Sequence, residues 1–267
     1  MLVDSHCHLD AAEFGDSAPQ LAQQAAEQDV RWIVVPAVEA SNFAVVAKLA
    51  ASLPNCVYAL GIHPLYVPQA QPEDLQGLRA AVDLAMADER FVGIGEIGLD
   101  FFVPTLTTDA MREKQIWFYT EQLKLAREFG LPVILHVRRS QDTLLKYLRR
   151  ISVTGGIAHA FNGSAQQAQA FIELGFVLGF GGAMTFTRAL QIRRLAVQLP
   201  LHALVLETDA PDIAPAWLHP AVNTPVQLPK IAAVLAELRG QPLAEIATQT
   251  SQNVARVLPR LGNLMML

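Results

Sequence analysis

Cysteine is scarce in this chain. Only Cys7 and Cys56 occur, without CxxC spacing, so no disulfide framework is indicated and a reducing, cytoplasmic setting is the expectation. Charge is sparse as well: Asp, Glu, Lys and Arg make up 17% of 267 residues, and the net charge of −5 with a pI near 5.8 leaves no broadly basic surface. Any contact with nucleic acid must then be local and helped by cations, and wrapping of a duplex is disfavoured. Aromatic residues are 7% of the chain and form no stripe interleaved with basic ones, which limits single-strand contacts to one or a few nucleotides. No apolar run reaches about 18 residues and no basic segment leads into an apolar stretch at the N-terminus, so neither membrane insertion nor secretion is expected. Linkers, low-complexity stretches, internal repeats and like-charge runs are all missing, which predicts one domain over residues 1–267, with no obligate protein partner evident.

Apolar residues, by contrast, make up 52% of the sequence. They suit strands buried on both faces, which read as continuous apolar runs. Such runs alternate with helix-like segments, the pattern of repeated βα units. Eight strands are predicted near 2–6, 32–36, 57–62, 91–95, 132–136, 156–159, 176–180 and 203–207. Helices are predicted near 17–28, 41–52, 73–87, 109–129, 140–150, 164–174 and 187–198, and two more after the last strand, near 225–239 and 243–258. Gly130 with Leu131-Pro132 should stop the long helix before strand five. Ser164 should cap the helix after strand six, with its first amides facing the pocket. A parallel α/β barrel, the TIM (β/α)8 architecture of about 250 residues, fits both count and length. Its carboxyl-terminal face gathers the strand ends, and the proline-rich loop 209–224 should lie over that face.

Polar groups with metal-binding capacity stand where those runs end. His6 and His8, behind Asp4, are two apart, and on a strand such residues point to one side and can share an ion; two satisfied structural histidines are the alternative. Cys7 between them is expected to pack. Glu96 lies in the apolar, glycine-rich stretch 92–100, where an ionised carboxylate needs a cation or an arginine as partner. Asp100 reads as a loop cap or a supporting acceptor. His136 and His159 each end a strand and can offer neutral imidazole nitrogens. Asp209 closes strand eight, which adjoins strand one in a closed barrel. The expected grouping is one ion on His6, His8 and Asp209, another on His136 and His159, and Glu96 between them. Two divalent ions about 3.5–4 Å apart can stabilise both attacking and leaving oxygens. Glu207 is expected to turn away from Asp209's neighbours as a supporting carboxylate. His63 reads as a substrate donor or a turn histidine. Arg138 should project into the same mouth and grip a phosphate or carboxylate, while Arg139 is expected to be solvated or paired in its loop.

Taken in order, the segments 4–10, 61–64, 93–100, 131–138, 159–164 and 207–211 resemble the TatD family of metal-dependent hydrolases across essentially the whole chain. The resemblance implies a TIM barrel of the metallo-dependent hydrolase type, two divalent metals held by His6, His8, Glu96, His136, His159 and Asp209, and hydrolysis of phosphodiesters, typically DNA from an end. Two departures lie where substrate would bind: Arg138-Arg139-Ser140 where many relatives have an arginine followed by an acidic residue, and Val222-Asn223 without the arginine often placed before that asparagine. The leading expectation is therefore a two-metal nuclease on single-stranded or frayed DNA ends. Asp209 would take the proton of the attacking water, Glu96 would bridge the ions, and His63, Arg138, Asn162 and Ser164 would hold the phosphate. Mg, Mn or Zn all fit the donor set. The alternative is a hydrolase of carboxylic esters, lactones or amides; many barrels of that kind bridge their metals with a lysine on strand four, and the corresponding run here has Glu96 and no lysine.

Overall fold

A computed structural model describes residues 1–266. Eight strands follow one another around the sheet in chain order: β1 (Leu2–Asp4), β2 (Val30–Pro36), β3 (Cys56–Leu60), β4 (Phe91–Asp100), β5 (Val133–Arg138), β6 (Gly156–Ala158), β7 (Phe176–Phe180) and β8 (Leu204–Leu206). All seven neighbouring pairs are parallel. The remaining seam, between β8 and β1, is crossed just beyond the strand ends, where the Ser5 amide donates to the Leu206 carbonyl and the Asp209 amide to that of His6. The result is the expected TIM-type barrel, nearly closed. Around it lie α1 (Ala18–Glu27), α2 (Phe43–Ser52), α3 (Pro72–Ala85), α4 (Asp109–Phe129), α5 (Gln141–Leu148), α6 (Ala165–Glu173), α7 (Leu190–Gln198) and α8 (Leu228–Arg239), followed by α9 (Leu243–Val257) and α10 (Pro259–Met265).

The strands alternate inside and outside by the two-residue period of extended chain. Val3, Val34, Val57, Val92, Ile134, Ile157, Val177 and Val205, one from each strand, form an inner layer, and Val254, Val257, Leu258 and Leu261 of the α9–α10 region pack against it. Those two helices sit at the amino-terminal ends of the strands. Asn253 donates to the Leu204 carbonyl, and Arg260 donates to the carbonyls of Phe91, Met86 and Asp88. The barrel is thus plugged at one end by apolar side chains, each worth about 1.5–3 kcal/mol when fully buried. The opposite end is left for polar groups.

Two local expectations resolve differently. The fourth strand does not stop before Glu96: it continues to Asp100, every residue buried, with a register irregularity against β5 between Ile94 and Ile97. Gly98 makes this possible, because its φ of 142° and the closeness of the His136 carbonyl leave no place for a Cβ. The last segment of the chain is also more helical than its sequence suggests, since Pro259 starts α10 at the position where a proline is tolerated. The stop at Gly130, in the left-handed conformation, and the cap at Ser164 are where the sequence puts them.

Candidate metal centre

The first histidine pair extends past β1 as an extended segment pinned on both sides. The Cys7 amide donates to Val34, and the His8 amide to Ala210. Cys7 therefore turns into the outer core while His6 and His8 face the barrel axis, their Nε2 atoms 3.2 Å apart. Asp4 is buried and ties this segment to the last strand by accepting from both the amide (2.9 Å) and the hydroxyl (2.6 Å) of Thr208. Burial raises its carboxyl to about 7 despite those bonds.

Glu96, 1% exposed, stands at the centre of the cluster. Its Oε2 is 3.0 Å from His6 Nε2 and 3.3 Å from His8 Nε2, while its Oε1 is 2.8 Å from His159 Nε2, 3.0 Å from His136 Nδ1 and 3.2 Å from His63 Nε2. No arginine reaches it among the described ion pairs. Asp209, at a φ of 56°, brings Oδ1 to 3.6 Å from His6 Nε2 and 3.9 Å from both His8 Nε2 and His159 Nδ1. All six residues expected as ligands therefore share one buried cluster. The grouping is finer than expected, however. The His159 ring stacks on His6 at 3.8 Å, so His159 stands between the two halves. Three sets of donor atoms are close enough to share an ion: His6–His8–Asp209, His6–Glu96–His159 and His63–Glu96–His136.

His63 also joins this cluster while lining the cavity above it. It is buried, its Nδ1 accepts from the Leu65 amide, and this leaves Nε2 aimed at Glu96. Asp100 fills both roles expected of it: Oδ1 accepts the Phe102 and Val103 amides, and Oδ2 lies 3.1 Å from His136 Nε2. Glu207 corrects the expectation that it turns away. Glu207 Oε1 lies 4.0 Å from His159 Nδ1, the nitrogen that Asp209 Oδ1 approaches at 3.9 Å, and it accepts from the Ala160 amide. Gly179 leaves the space for it, since a Cβ there would overlap the Glu207 carboxylate.

The electrostatics suit cation binding. Burial alone would raise the Glu96 carboxyl, but the ring of imidazoles around it, with the hydrogen bond to His136, overcomes burial and holds it well below the carboxylate range. Burial keeps His6 well below the usual imidazole value and lowers His63 to about 4, whereas the neighbouring carboxylates outweigh burial and raise His8 to about 9 and His159 to about 10, protons that a bound cation would displace. Buried Glu96 Oε2, His6 Nδ1, His159 Nδ1 and Glu207 Oε2 have no hydrogen-bond partner. Imidazoles and carboxylates converging on the same points, with several of their atoms left without a hydrogen bond, are a donor set that a divalent cation satisfies.

Above the cluster opens a cavity of about 1070 Å³. Arg138 and Arg139 both line it, their guanidinium groups 4.0 and 4.6 Å from the centre of the exposed Phe102 ring. Arg139 is exposed, as its sequence context suggested, and it also lines the mouth. Asn162 lines the cavity too. Ser164 lies outside that lining, and its hydroxyl accepts the Gln167 amide as the expected cap of α6. Asn223, marked in the sequence only by its neighbours, is fully buried; its amide group donates to the carbonyls of Thr208 and Asp212, which holds the loop that carries Asp209.

Comparison with known proteins decides the family. A family model described as TatD related DNase matches residues 3–259. The chain belongs to the TatD family. It is similar to the Escherichia coli K12 metal-dependent hydrolase YjjV, with 41% identity covering 94% of this chain and 95% of that protein. The crystal structure of that TatD homologue superposes with a TM-score of 0.91 over 97% of this chain and 98% of its own. A Haemophilus influenzae metal-dependent hydrolase is 36% identical over 95% of this chain and 98% of its length, and the human deoxyribonuclease TATDN3 is 29% identical over 99% and 97%. A TatD-family metal-dependent hydrolase is consistent with every element of the cluster: the family brings the metal, and the chain brings buried imidazoles and carboxylates at the carboxyl-terminal face of its barrel. Among the described residues no helix is long and apolar enough to cross a membrane.

Proposed function

We propose that this TatD-family hydrolase cleaves phosphodiester bonds with two divalent ions, acting on the ends of single-stranded or frayed DNA. The observation that carries this reading is Glu96, whose two carboxylate oxygens face two separate groups of histidines. One ion would be held by His6, His8 and Asp209, the other by His136 and His159, with Glu96 shared. His63, at 3.2 Å from Glu96 Oε1, joins the second group or donates to substrate. When bound, such a pair supplies a lowered water pKa and positive charge for both the attacking and leaving oxygens.

The side chains have distinct parts in the reaction. Asp209 would accept the proton of the attacking water. Water's oxygen bonds to phosphorus, the bond from phosphorus to the leaving sugar oxygen breaks, and that oxygen takes up a proton. Arg138 binds phosphate oxygens at the mouth as a charge-assisted fork, with Asn162 beside it. The acidic chain needs no broad basic surface, since local cations replace it. The name of the human relative, a deoxyribonuclease, supports the substrate class.

A gel time course of end-labelled single-stranded DNA, with Mn against EDTA, tests the reading. Metal-dependent shortening is expected, and the ladder gives the direction of attack. Intact DNA together with turnover of an aryl ester under the same metal would replace the phosphodiesterase with an acyl hydrolase.

A further inference from the structure

The mouth of the cavity is electrically two-sided. Asp10 and Glu13 follow β1, Glu39 follows β2 and Asp212 follows β8, and all four line the cavity. Phe102 follows β4, while Arg138 and Arg139 stand at the end of β5. In an eight-stranded ring taken in chain order, the arc from β8 through β1 to β2 lies across from β4 and β5. The acidic arc is built rather than scattered. Asp10 Oδ2 accepts from the Asn42 side chain at 2.8 Å, Asn42 Oδ1 accepts the Val38 and Glu39 amides, and the Glu39 carbonyl accepts the Asn42 amide in return. Asp10 Oδ1 is buried with no partner, an acceptor that lacks a donor. Burial, and after it the charges of Glu39, Asp10 and Glu13, raise the Tyr66 hydroxyl that faces them.

A phosphate and a hydroxyl meet this arc very differently. A terminal phosphate carries between one and two negative charges near neutral pH and meets carboxylates of the same sign. A sugar hydroxyl or a base amino group donates a hydrogen bond to them. Across the cavity the two guanidinium groups, packed over the Phe102 ring, favour phosphate.

We infer that the mouth sorts substrate ends: the phosphate-bearing body of the strand runs over Arg138, Arg139 and Phe102, and the acidic arc takes a terminal nucleoside ending in a free hydroxyl while rejecting one ending in phosphate. Glu13, Glu39 and Asp10 are its specificity determinants. This rests on the phosphodiesterase reading above.

The test uses one oligonucleotide sequence prepared with hydroxyl or phosphate at either end, digested by the wild-type protein in Mn. The hydroxyl form of the attacked end is expected to be favoured about tenfold or more in kcat/KM, mainly through KM, the scale of a like-charge contact at surface permittivity. Glu13→Gln with Glu39→Gln should lower that ratio severalfold, Asp10 and Asp212 retaining the remainder. Arg139→Ala should raise KM for both forms alike and keep the ratio. Equal cleavage of both forms by the wild-type protein, or an unchanged ratio in the double variant, overturns the inference and leaves the phosphodiesterase standing. No cleavage of any form overturns both.

Discussion

The two ends of one barrel are built from opposite chemistry. At the amino-terminal end, a layer of one aliphatic side chain per strand is sealed by Val254, Val257, Leu258 and Leu261. At the carboxyl-terminal end the same strands carry His6, Glu96, Asp100, His136, His159, Glu207 and Asp209, most of them buried, with several nitrogens and oxygens unpartnered. The first arrangement stabilises the fold by removing apolar surface from water. The second costs free energy, because buried polar and ionised groups are unfavourable without full pairing. The contrast teaches that folding and chemistry are divided along the barrel axis, so substitutions at the two ends should fail in different ways.

Glu96→Ala should give the largest effect. Removing the group between the two histidine sets is expected to lower kcat/KM about a thousandfold or more, the loss of some 4 kcal/mol of transition-state stabilisation, with the circular dichroism spectrum unchanged. Unfolding of that variant would mean that Glu96 holds the fold rather than the ions. Leu261→Ala, at the sealed end, should do the reverse: about 2–5 kcal/mol of stability lost in urea titration, with unchanged activity per folded molecule. A fall in specific activity there would break the division between the ends.

Asn223→Ala sits between these cases. It removes a fully buried side chain that ties Thr208 and Asp212 and so fixes Asp209. We expect about 1–3 kcal/mol of stability lost and a drop in kcat larger than the rise in KM, read from steady-state kinetics. The smallest effect belongs to Ser164→Ala. Its hydroxyl caps α6, so about 1 kcal/mol of stability should go while KM for DNA stays put; a raised KM would put Ser164 at the substrate site.

Much of this contrast was legible in the sequence because it follows from periodicity. Apolar runs spaced by helical segments gave eight strands in order, and a polar residue at the end of an apolar run is visible without coordinates. What was not legible depends on geometry across strands. The extension of β4 to Asp100 relies on a glycine accommodating the His136 carbonyl, a neighbour on another strand. The placement of His159 against His6 arises from packing between residues 153 positions apart in sequence, and so does the approach of His63 to Glu96. Ser164 illustrates the reverse difficulty: a serine after a glycine suits a phosphate-holding loop and a helix cap equally well, and the bond from the Gln167 amide shows the cap. Arg139 became part of the mouth only once the exposed Phe102 ring was seen to bring both arginines to the same face.

The most direct measurement is the metal stoichiometry of the purified protein, by elemental analysis after dialysis against a limiting divalent ion, for wild type and Glu96→Ala side by side. Two ions per chain in the wild type, falling to one or fewer in the variant, is the predicted result. One ion in the wild type, or the same number in both proteins, would contradict a pair of cations shared through Glu96.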